Sequence, residues 1–217
     1  MERFKSLVLK FEQNQNPMTK HLLSIICILF FSTVLSAQTG GYYALNFNGS
    51  GDDVTISDTT ILNPTDEITI EAWIKPESFA RNIYENTIFG KHGWSSGNAG
   101  YVLRCGASGQ ASFNVASSTG SWMEAQSSTN VLQTNVWNHV AGVFDGDTVA
   151  VYVNGILVGT QAYKGSMTPS TGLDAKIGEL AYGTGRNFDG DIDEVRVWNK
   201  ALSTTTRRDW MCRKVTS

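Results

Sequence analysis

The chain has 217 residues, of which 41% are hydrophobic and 17% charged, with a formal net charge of −3. This length and composition suit one globular domain with a sizeable core. The acidic balance and the lack of a basic stripe, RNA-binding motif or helix-turn-helix motif exclude a typical nucleic-acid-binding protein.

A secretory signal is predicted over residues 1–37. The apolar run LLSIICILFFSTVL follows a short basic segment and ends at the small residues Ser36 and Ala37. The run is about 14 residues, shorter than the roughly 20 that a transmembrane helix needs, and no later segment comes close. We therefore expect cleavage after Ala37 and an exported chain, secreted or periplasmic, without a membrane span. Residues 1–17 precede Met18 and are interpreted as an over-long start.

The predicted mature domain, residues 38–217, is more acidic than the whole chain. Residues 1–37 contain four basic and two acidic residues, so their removal leaves 13 basic and 18 acidic residues, a net charge of about −5.

An antiparallel all-β domain is predicted after residue 40. Short β-branched and aromatic runs alternate there with Gly, Asn, Ser and Asp. Twelve strands are predicted, more than one open sheet accommodates, so we expect two packed sheets. The predicted strands are 43–47, 53–56, 67–76, 86–91, 101–105, 111–117, 122–128, 136–145, 148–155, 156–163, 174–180 and 191–198.

Two local signals predict a hairpin and a final helix. Asn154-Gly155 lies between two alternating runs, and this dipeptide accepts the positive φ angles of a type I′ turn. Residues 201–214 predict a short helix capped by Ser203 or Thr204.

Two cysteines, Cys105 and Cys212, follow the predicted signal. In an exported protein a disulfide between them, or with another chain, is expected. Two free thiols are the alternative.

Four motifs occur in a recognisable order: ALNFNGSGDDVTI, ITIEAWIKP, WNHVAGVFDGDTVAVYVNGILVG and GDIDEVRVWNKAL. Over residues 42–202 the chain resembles the laminin-G-like jelly-roll domains of the concanavalin A-like lectin and glucanase superfamily. The resemblance implies a two-sheet antiparallel jelly-roll β-sandwich, to which the short C-terminal helix is added. Since this fold hosts lectins, adhesion modules, enzyme appendages and glycosidases, the fold alone does not decide the function.

The acidic segment DGDIDEVRVW, residues 189–198, raises the question of catalysis. Laminarinase-type glycosidases, which the chain resembles in fold, carry Glu-x-Asp-x-Glu or Glu-x-Asp-x-x-Glu on one strand. Here Asp191 replaces the first Glu, and Val195 or Arg196 replaces the last. Glycoside hydrolysis requires a proton donor as well as a second carboxylate, so no catalytic residue is assigned. As a regular strand, this segment would place Asp191, Asp193, Val195 and Val197 on one face.

A structural calcium ion is the alternative use of these carboxylates. Loops rich in Asp, Asn and Gly supply the oxygen ligands that calcium prefers. If the first and last strands are neighbours, as in a jelly roll, Asp52 or Asp53 could approach Asp191 or Asp193. The competing interpretation is a polar turn and a carboxylate bound to backbone N–H groups.

Sugar recognition usually combines an aromatic face with amide or charged side chains. The loop KHGWSSGNAGY, residues 91–101, offers such a set, although its Trp can also close one end of the sandwich. The predicted carbohydrate-binding residues are Trp94, His92, Asn98, Trp122, Tyr182 and Arg186, with Tyr84 and Tyr163 as further candidates. By contrast, Trp73, Trp137 and Trp198 are expected in the core, and His139 is expected to be structural.

These observations together predict a secreted, non-catalytic carbohydrate-binding or adhesion module. Its expected partner is a polysaccharide or a glycosylated surface, and a structural calcium ion is left open beside the polar-turn interpretation of the acidic loops. Two alternatives stay open: a glycoside hydrolase or its accessory domain, and a structural spacer with protein partners.

Overall fold

Twelve strands, one α-helix and one 3-10 turn at Thr60–Leu62 form the described part of this computed structural model. The described residues are 44–79, 82, 84–93, 98–106, 108–183 and 185–213. The predicted signal segment lies outside them. The elements are β1 (Leu45–Asn48), β2 (Val54–Ile56), β3 (Ile68–Pro76), β4 (Asn86–Gly93), β5 (Ala99–Gly106), β6 (Gln110–Ala116), β7 (Trp122–Gln126), β8 (Asn138–Phe144), β9 (Thr148–Val153), β10 (Ile156–Ala162), β11 (Ala175–Ile177), β12 (Asp189–Trp198) and α1 (Thr204–Met211).

The strands form two six-stranded antiparallel sheets. The first sheet has the order β1-β12-β3-β8-β9-β10, and the second has the order β2-β11-β4-β5-β6-β7. The all-β jelly-roll sandwich with a short C-terminal helix is therefore confirmed, and the twelve predicted strands match to within a few residues at each end.

The core lies between the two sheets because the strands alternate inward and outward side chains. In β3, Ile68, Ile70 and Ile74 are fully buried and belong to the core cluster. Removing such a side chain from water stabilises a fold by about 1.5–3 kcal/mol. A Cβ atom added to Gly142 of the first sheet would lie 2.3 Å from the Phe113 ring of the second. This contact shows how closely the sheets approach.

Helix α1 covers the outer face of the first sheet. Its cap is Ser203, whose Oγ accepts a hydrogen bond from the backbone N of Thr206 at 3.1 Å, as predicted. Nε1 of Trp73 donates to the Met211 carbonyl oxygen at 3.1 Å, and Trp198 packs on Trp210 with ring centroids 5.1 Å apart. The C-terminal segment is thereby attached to β3 and β12.

The three tryptophans expected in the core differ in burial. Trp73 is buried, but it lies on the outer face of its sheet beneath α1, because its strand neighbours Ala72 and Ile74 point inward. Trp137 and Trp198 are only half-buried. The prediction is therefore confirmed for the burial of Trp73 and wrong for Trp137 and Trp198. Strand propensity does not identify which face of a strand a second element covers.

A β-bulge in β12 corrects the predicted alternation of the acidic strand. The register with β3 shifts between Asp193 and Arg196, and Glu194 has a φ angle of 51°. Ile192 and Val195 therefore both face the core, although the regular pattern placed them on opposite faces. An extra residue in one strand inverts the alternation beyond it.

The predicted disulfide is not formed between the described cysteines. Cys105 and Cys212 are both free. Cys105 is fully buried in the core between the sheets, whereas Cys212 is exposed at the end of α1. The first sheet separates the two thiols, which the sequence spacing did not reveal.

The turn at Asn154-Gly155 is confirmed, with φ angles of 50° and 74°. Within the part of the chain that the structure describes, no helix is long and apolar enough to span a membrane.

Candidate functional site

A cavity of about 240 Å³ lies on the outer face of the second sheet. Strands β4 to β7 form its floor, and the segments before β4 and before β12 form part of its wall. Its described lining residues are Tyr84, His92, Arg104, Asn114, Trp122, Glu124 and Arg186.

Strand alternation explains why polar side chains gather on this face. Leu103 and Cys105 point into the core, so Arg104 between them points outward. Phe113 and Val115 flank Asn114 in the same way. The register then pairs Asn114 with Glu124 of β7, which brings their side chains together.

A hydrogen-bond network holds the polar floor. Nη2 of Arg104 donates to Oδ1 of Asn114 at 2.9 Å. Oγ of Ser112 lies 2.8 Å from both Oδ1 of Asn114 and Oε1 of Glu124, and its single proton serves one of them at a time. The Tyr84 hydroxyl donates to Oε2 of Glu124 at 3.1 Å. The floor is therefore fixed in place by the protein's own contacts.

Aromatic rings form two sides of the cavity. The Trp122 and His92 rings meet edge to face, with centroids 6.0 Å apart. The guanidinium carbon of Arg104 lies 4.9 Å from the centre of the Tyr84 ring, a cation–π distance. Trp122 and Tyr84 are only partly buried, so apolar ring surface is open to a ligand.

Burial lowers the pKa of two basic groups in the cavity, His92 and Arg104. Burial, followed by the positive charges of Arg104 and Arg186, lowers the pKa of His92 to about 3. Burial, followed by the charge of Arg186, lowers the pKa of Arg104 to about 10. At neutral pH the imidazole is therefore uncharged, whereas Arg104 remains a cation.

The side chains that line the cavity include groups of several chemical types. Glu124 is the one carboxylate among the described residues that line the cavity, whereas glycoside hydrolysis uses two. Ring faces, an amide, two guanidinium groups and a carboxylate are the groups with which proteins bind sugar hydroxyls and rings.

The predicted sugar-binding residues fall into three groups. His92, Trp122 and Arg186 line the cavity. Nδ2 of Asn98 instead donates to the Gly120 carbonyl oxygen at 2.7 Å, and Tyr182 is exposed without being among the described lining residues. Trp94 lies outside the described residues.

Of the two further candidates, Tyr84 lines the cavity. Tyr163 instead stacks on Phe144, with centroids 5.5 Å apart, and its hydroxyl donates to the Ser166 carbonyl oxygen at 2.7 Å. His139 is buried, with Nε2 3.4 Å from Oε2 of Glu71.

Asp52 and Asp53 of the predicted calcium site lie in the segment that connects β1 of the first sheet to β2 of the second. β1 does pair with β12, as a jelly roll implies. The chain then crosses to the second sheet, where β2 pairs with β11. Asp52 accepts from the backbone N of Asn48 at 3.1 Å, and Asp53 lies 3.4 Å from Nζ of Lys176.

The other two aspartates stay on β12. Asp191 accepts from Nδ2 of Asn46 at 2.9 Å and lies 3.3 Å from Nζ of Lys75. Asp193 accepts from the backbone N of Glu194 at 2.8 Å. Among the described residues, no three His, Cys, Asp or Glu side chains are grouped so as to hold a metal ion.

The sequence interpretation missed Arg104, Asn114 and Glu124. Each is a polar residue between two apolar neighbours that face the core, which signals an outer sheet face. That alternation is visible in the predicted strands YVLRC, ASFNVAS and WMEAQSS.

The chain belongs to the concanavalin A-like lectin/glucanases superfamily, whose laminin-G-type model matches residues 48–206. The resemblance predicted from the four motifs is thereby confirmed. No curated protein sequence matches the chain significantly.

Solved structures share the fold at low sequence identity. The binding domain of a paraclostridial mosquitocidal protein is 12% identical with a TM-score of 0.61, and the match covers 77% of this chain and 42% of that one. The ligand-binding domain of botulinum neurotoxin serotype D, in complex with N-acetylneuraminic acid, is 15% identical with a TM-score of 0.60 and coverages of 82% and 44%. The chain thus corresponds to less than half the length of either toxin domain.

A third similar structure matches over nearly its whole length. The CBM40 domain of a Ruminococcus gnavus sialidase, bound to α2,3-sialyllactose, is 15% identical with a TM-score of 0.56, and the match covers 74% of this chain and 91% of that one. At these identities the similarity establishes the fold.

Proposed function

We propose that this chain is an exported, non-catalytic module that binds carbohydrate in the cavity of the second sheet. Its partner would be a polysaccharide or a glycosylated surface, which would make adhesion its biological role. The observation that carries the proposal is the partly open Trp122 ring beside the ordered polar groups of Asn114 and Glu124. A sugar needs both surfaces, because its ring packs on an aromatic face while its hydroxyls form hydrogen bonds.

The comparisons support this proposal at the level of protein class. The serotype D toxin domain and the CBM40 domain are both described in complex with sugars. Low identity prevents the transfer of individual contacts. The proposal therefore depends on the cavity of this chain, whose volume suits a small ligand unit rather than a large one.

The test is a glycan array probed with the purified domain and with Trp122→Ala. We expect binding of the wild type to a defined set of glycans and a loss of about tenfold or more in the variant, because stacking area is removed. Ile156→Ala is the matched control, since Ile156 is an exposed apolar residue on β10 of the other sheet. It should bind like the wild type.

Two results would contradict the proposal. Absence of binding across the array would favour a structural spacer with protein partners. Release of reducing sugar from a bound polysaccharide would favour a glycosidase, and loss of that release in Glu124→Gln would locate the reaction in the cavity.

A structural calcium ion stays a prediction from the sequence. Its support is the Asp-, Asn- and Gly-rich composition of the loops before β2 and at the start of β12. Since two of the four aspartates lie beside lysines, calcium binding would require these ion pairs to rearrange.

A further inference from the structure

Arg104 is a buried cation with few partners in its own chain. The residue has a relative exposure of 5%. Nη2 donates to Asn114, while the buried Nε has no hydrogen-bond partner among the described residues. No carboxylate of the described residues forms an ion pair with it. A guanidinium group has five N–H donors, and burial of an unpaired charge is costly. The cavity floor therefore contains a cation whose hydrogen-bonding capacity the described chain leaves largely unused.

Arg186 supplies a second guanidinium group to the same cavity. Its backbone has a φ angle of 56°, in the left-handed region that a side chain such as arginine seldom adopts. Its carbonyl oxygen accepts a hydrogen bond from the backbone N of Thr87 at 2.9 Å, which fixes this loop to the start of β4. Strained conformations of this kind persist where the surrounding structure imposes them, often at binding sites.

The described lining of the cavity differs in charge from the chain as a whole. Arg104 and Arg186 contribute two positive charges, whereas Glu124 is the one acidic group among the described lining residues and His92 is neutral. Both carboxylate oxygens of Glu124 already face hydroxyl groups, those of Ser112 and Tyr84. Basic groups thus outnumber acidic groups in the described lining, although the whole chain has a net charge of −3.

From these contacts we infer that the cavity selects an acidic sugar, whose carboxylate pairs with the guanidinium groups of Arg104 and Arg186 while its ring packs against Trp122. The inference rests on the proposed function and specifies the ligand class. Guanidinium and carboxylate groups match in geometry, since two parallel N–H donors meet two oxygens. The carboxylate of a sialic acid and that of a uronic acid share this chemistry.

The experiment compares matched acidic and neutral sugars by isothermal titration calorimetry. One pair is α2,3-sialyllactose and lactose, and the other is trigalacturonate and the neutral galactose trimer. We expect at least one acidic sugar to bind about tenfold or more tightly than its neutral partner, as a charge-assisted hydrogen bond implies. The pair that shows the preference identifies the source of the carboxylate.

Three variants test which residues cause the preference for acidic sugars. Arg186→Gln should reduce it by about tenfold. Arg208→Gln removes the same charge from an exposed site on α1, where Nη2 donates to the Gly155 carbonyl oxygen, and should leave the preference unchanged. Glu124→Gln removes the one negative charge of the described lining and should maintain or increase the preference. Circular dichroism checks that each variant is folded.

Equal affinity for the acidic and neutral members of both pairs would overturn this inference, as would an unchanged preference in a folded Arg186→Gln variant. If neutral glycans bind on the array in a Trp122-dependent manner, the proposed function stands and only the acidic selectivity fails. If no glycan binds at all, the proposed function fails as well.

Discussion

Lys91 illustrates at the residue scale how this fold accommodates a buried charge. Its Nζ atom lies 2.8 Å from Oδ1 of Asp58 and donates to the carbonyl oxygens of Ser170 at 3.0 Å and Leu173 at 2.6 Å. All three N–H donors of the ammonium group therefore have acceptors. The hydrogen bond from Lys91, followed by those from the backbone N of Gly172 and from Asn63, lowers the pKa of Asp58 to about 2.

Asp58→Asn should therefore lower the free energy of unfolding, because it leaves Lys91 buried without its counter-ion. Urea unfolding at pH 7 measures the effect. Asp147→Asn is the control, since Asp147 pairs with Lys164 at 3.5 Å on an exposed surface and exposed pairs contribute little. A similar loss in both variants would contradict the argument.

The same pair predicts a pH dependence. Ionised Asp58 has a folded pKa of about 2, below its ordinary value of 3.8. Its contribution is thus fully present above pH 3.8 and is lost as the pH falls towards 2. The difference between the wild type and Asp58→Asn in urea unfolding should shrink over this range; a constant difference would contradict the assignment.

At the scale of elements, α1 shows how a short helix depends on both a local cap and a tertiary contact. A helix this short is marginal in isolation. The Ser203 cap satisfies one N–H group of the first turn, and Arg196 of β12 donates to the Trp210 carbonyl oxygen at 3.1 Å near its end. Arg196 is in turn paired with Glu71 at 3.3 Å. The cap could be predicted from the sequence, but the role of Arg196 required the fold.

Ser203→Ala should lower the free energy of unfolding by about 1 kcal/mol, because it removes an N-cap acceptor. Thr205→Ala, at an exposed position of the same helix, is the control and should be neutral or slightly stabilising through helix propensity. Urea denaturation of both variants provides the comparison. Equal losses would show that the cap has no specific effect.

At the scale of the whole molecule, the outer faces of the two sheets differ. Helix α1 covers the outer face of the first sheet, whereas the second sheet carries the polar cavity. This difference between the two outer faces explains why a buried charged residue such as Arg104 lies near a cavity, although the core itself is well packed. The proposed binding site is thus a property of one face of the sandwich.

The calcium ion predicted from the sequence should stabilise the whole domain. A ligand bound only by the folded state raises the melting temperature by mass action. We expect a higher melting temperature in millimolar calcium than in EDTA, measured by differential scanning calorimetry. Asp191→Asn should remove the increase, and an identical melting temperature in both conditions would exclude the predicted ion.

The sequence by itself determined the elements of this protein, because their signals are local. Alternating apolar residues define the strands, Asn154-Gly155 defines a hairpin, and Ser203 defines the start of α1. Four ordered motifs were sufficient to identify the superfamily.

Only the tertiary structure decided which side chains meet. Arg104 and Glu124 are brought together by the order and register of β5, β6 and β7, and Arg186 reaches them from a loop far along the chain. The bulge near Glu194 and the separation of the two cysteines by a sheet are likewise consequences of packing. Local propensity acts over a few residues, whereas sheet order, register and the covering of an outer face depend on contacts between distant segments, so the cavity and its charge balance could not be derived from strand patterns alone.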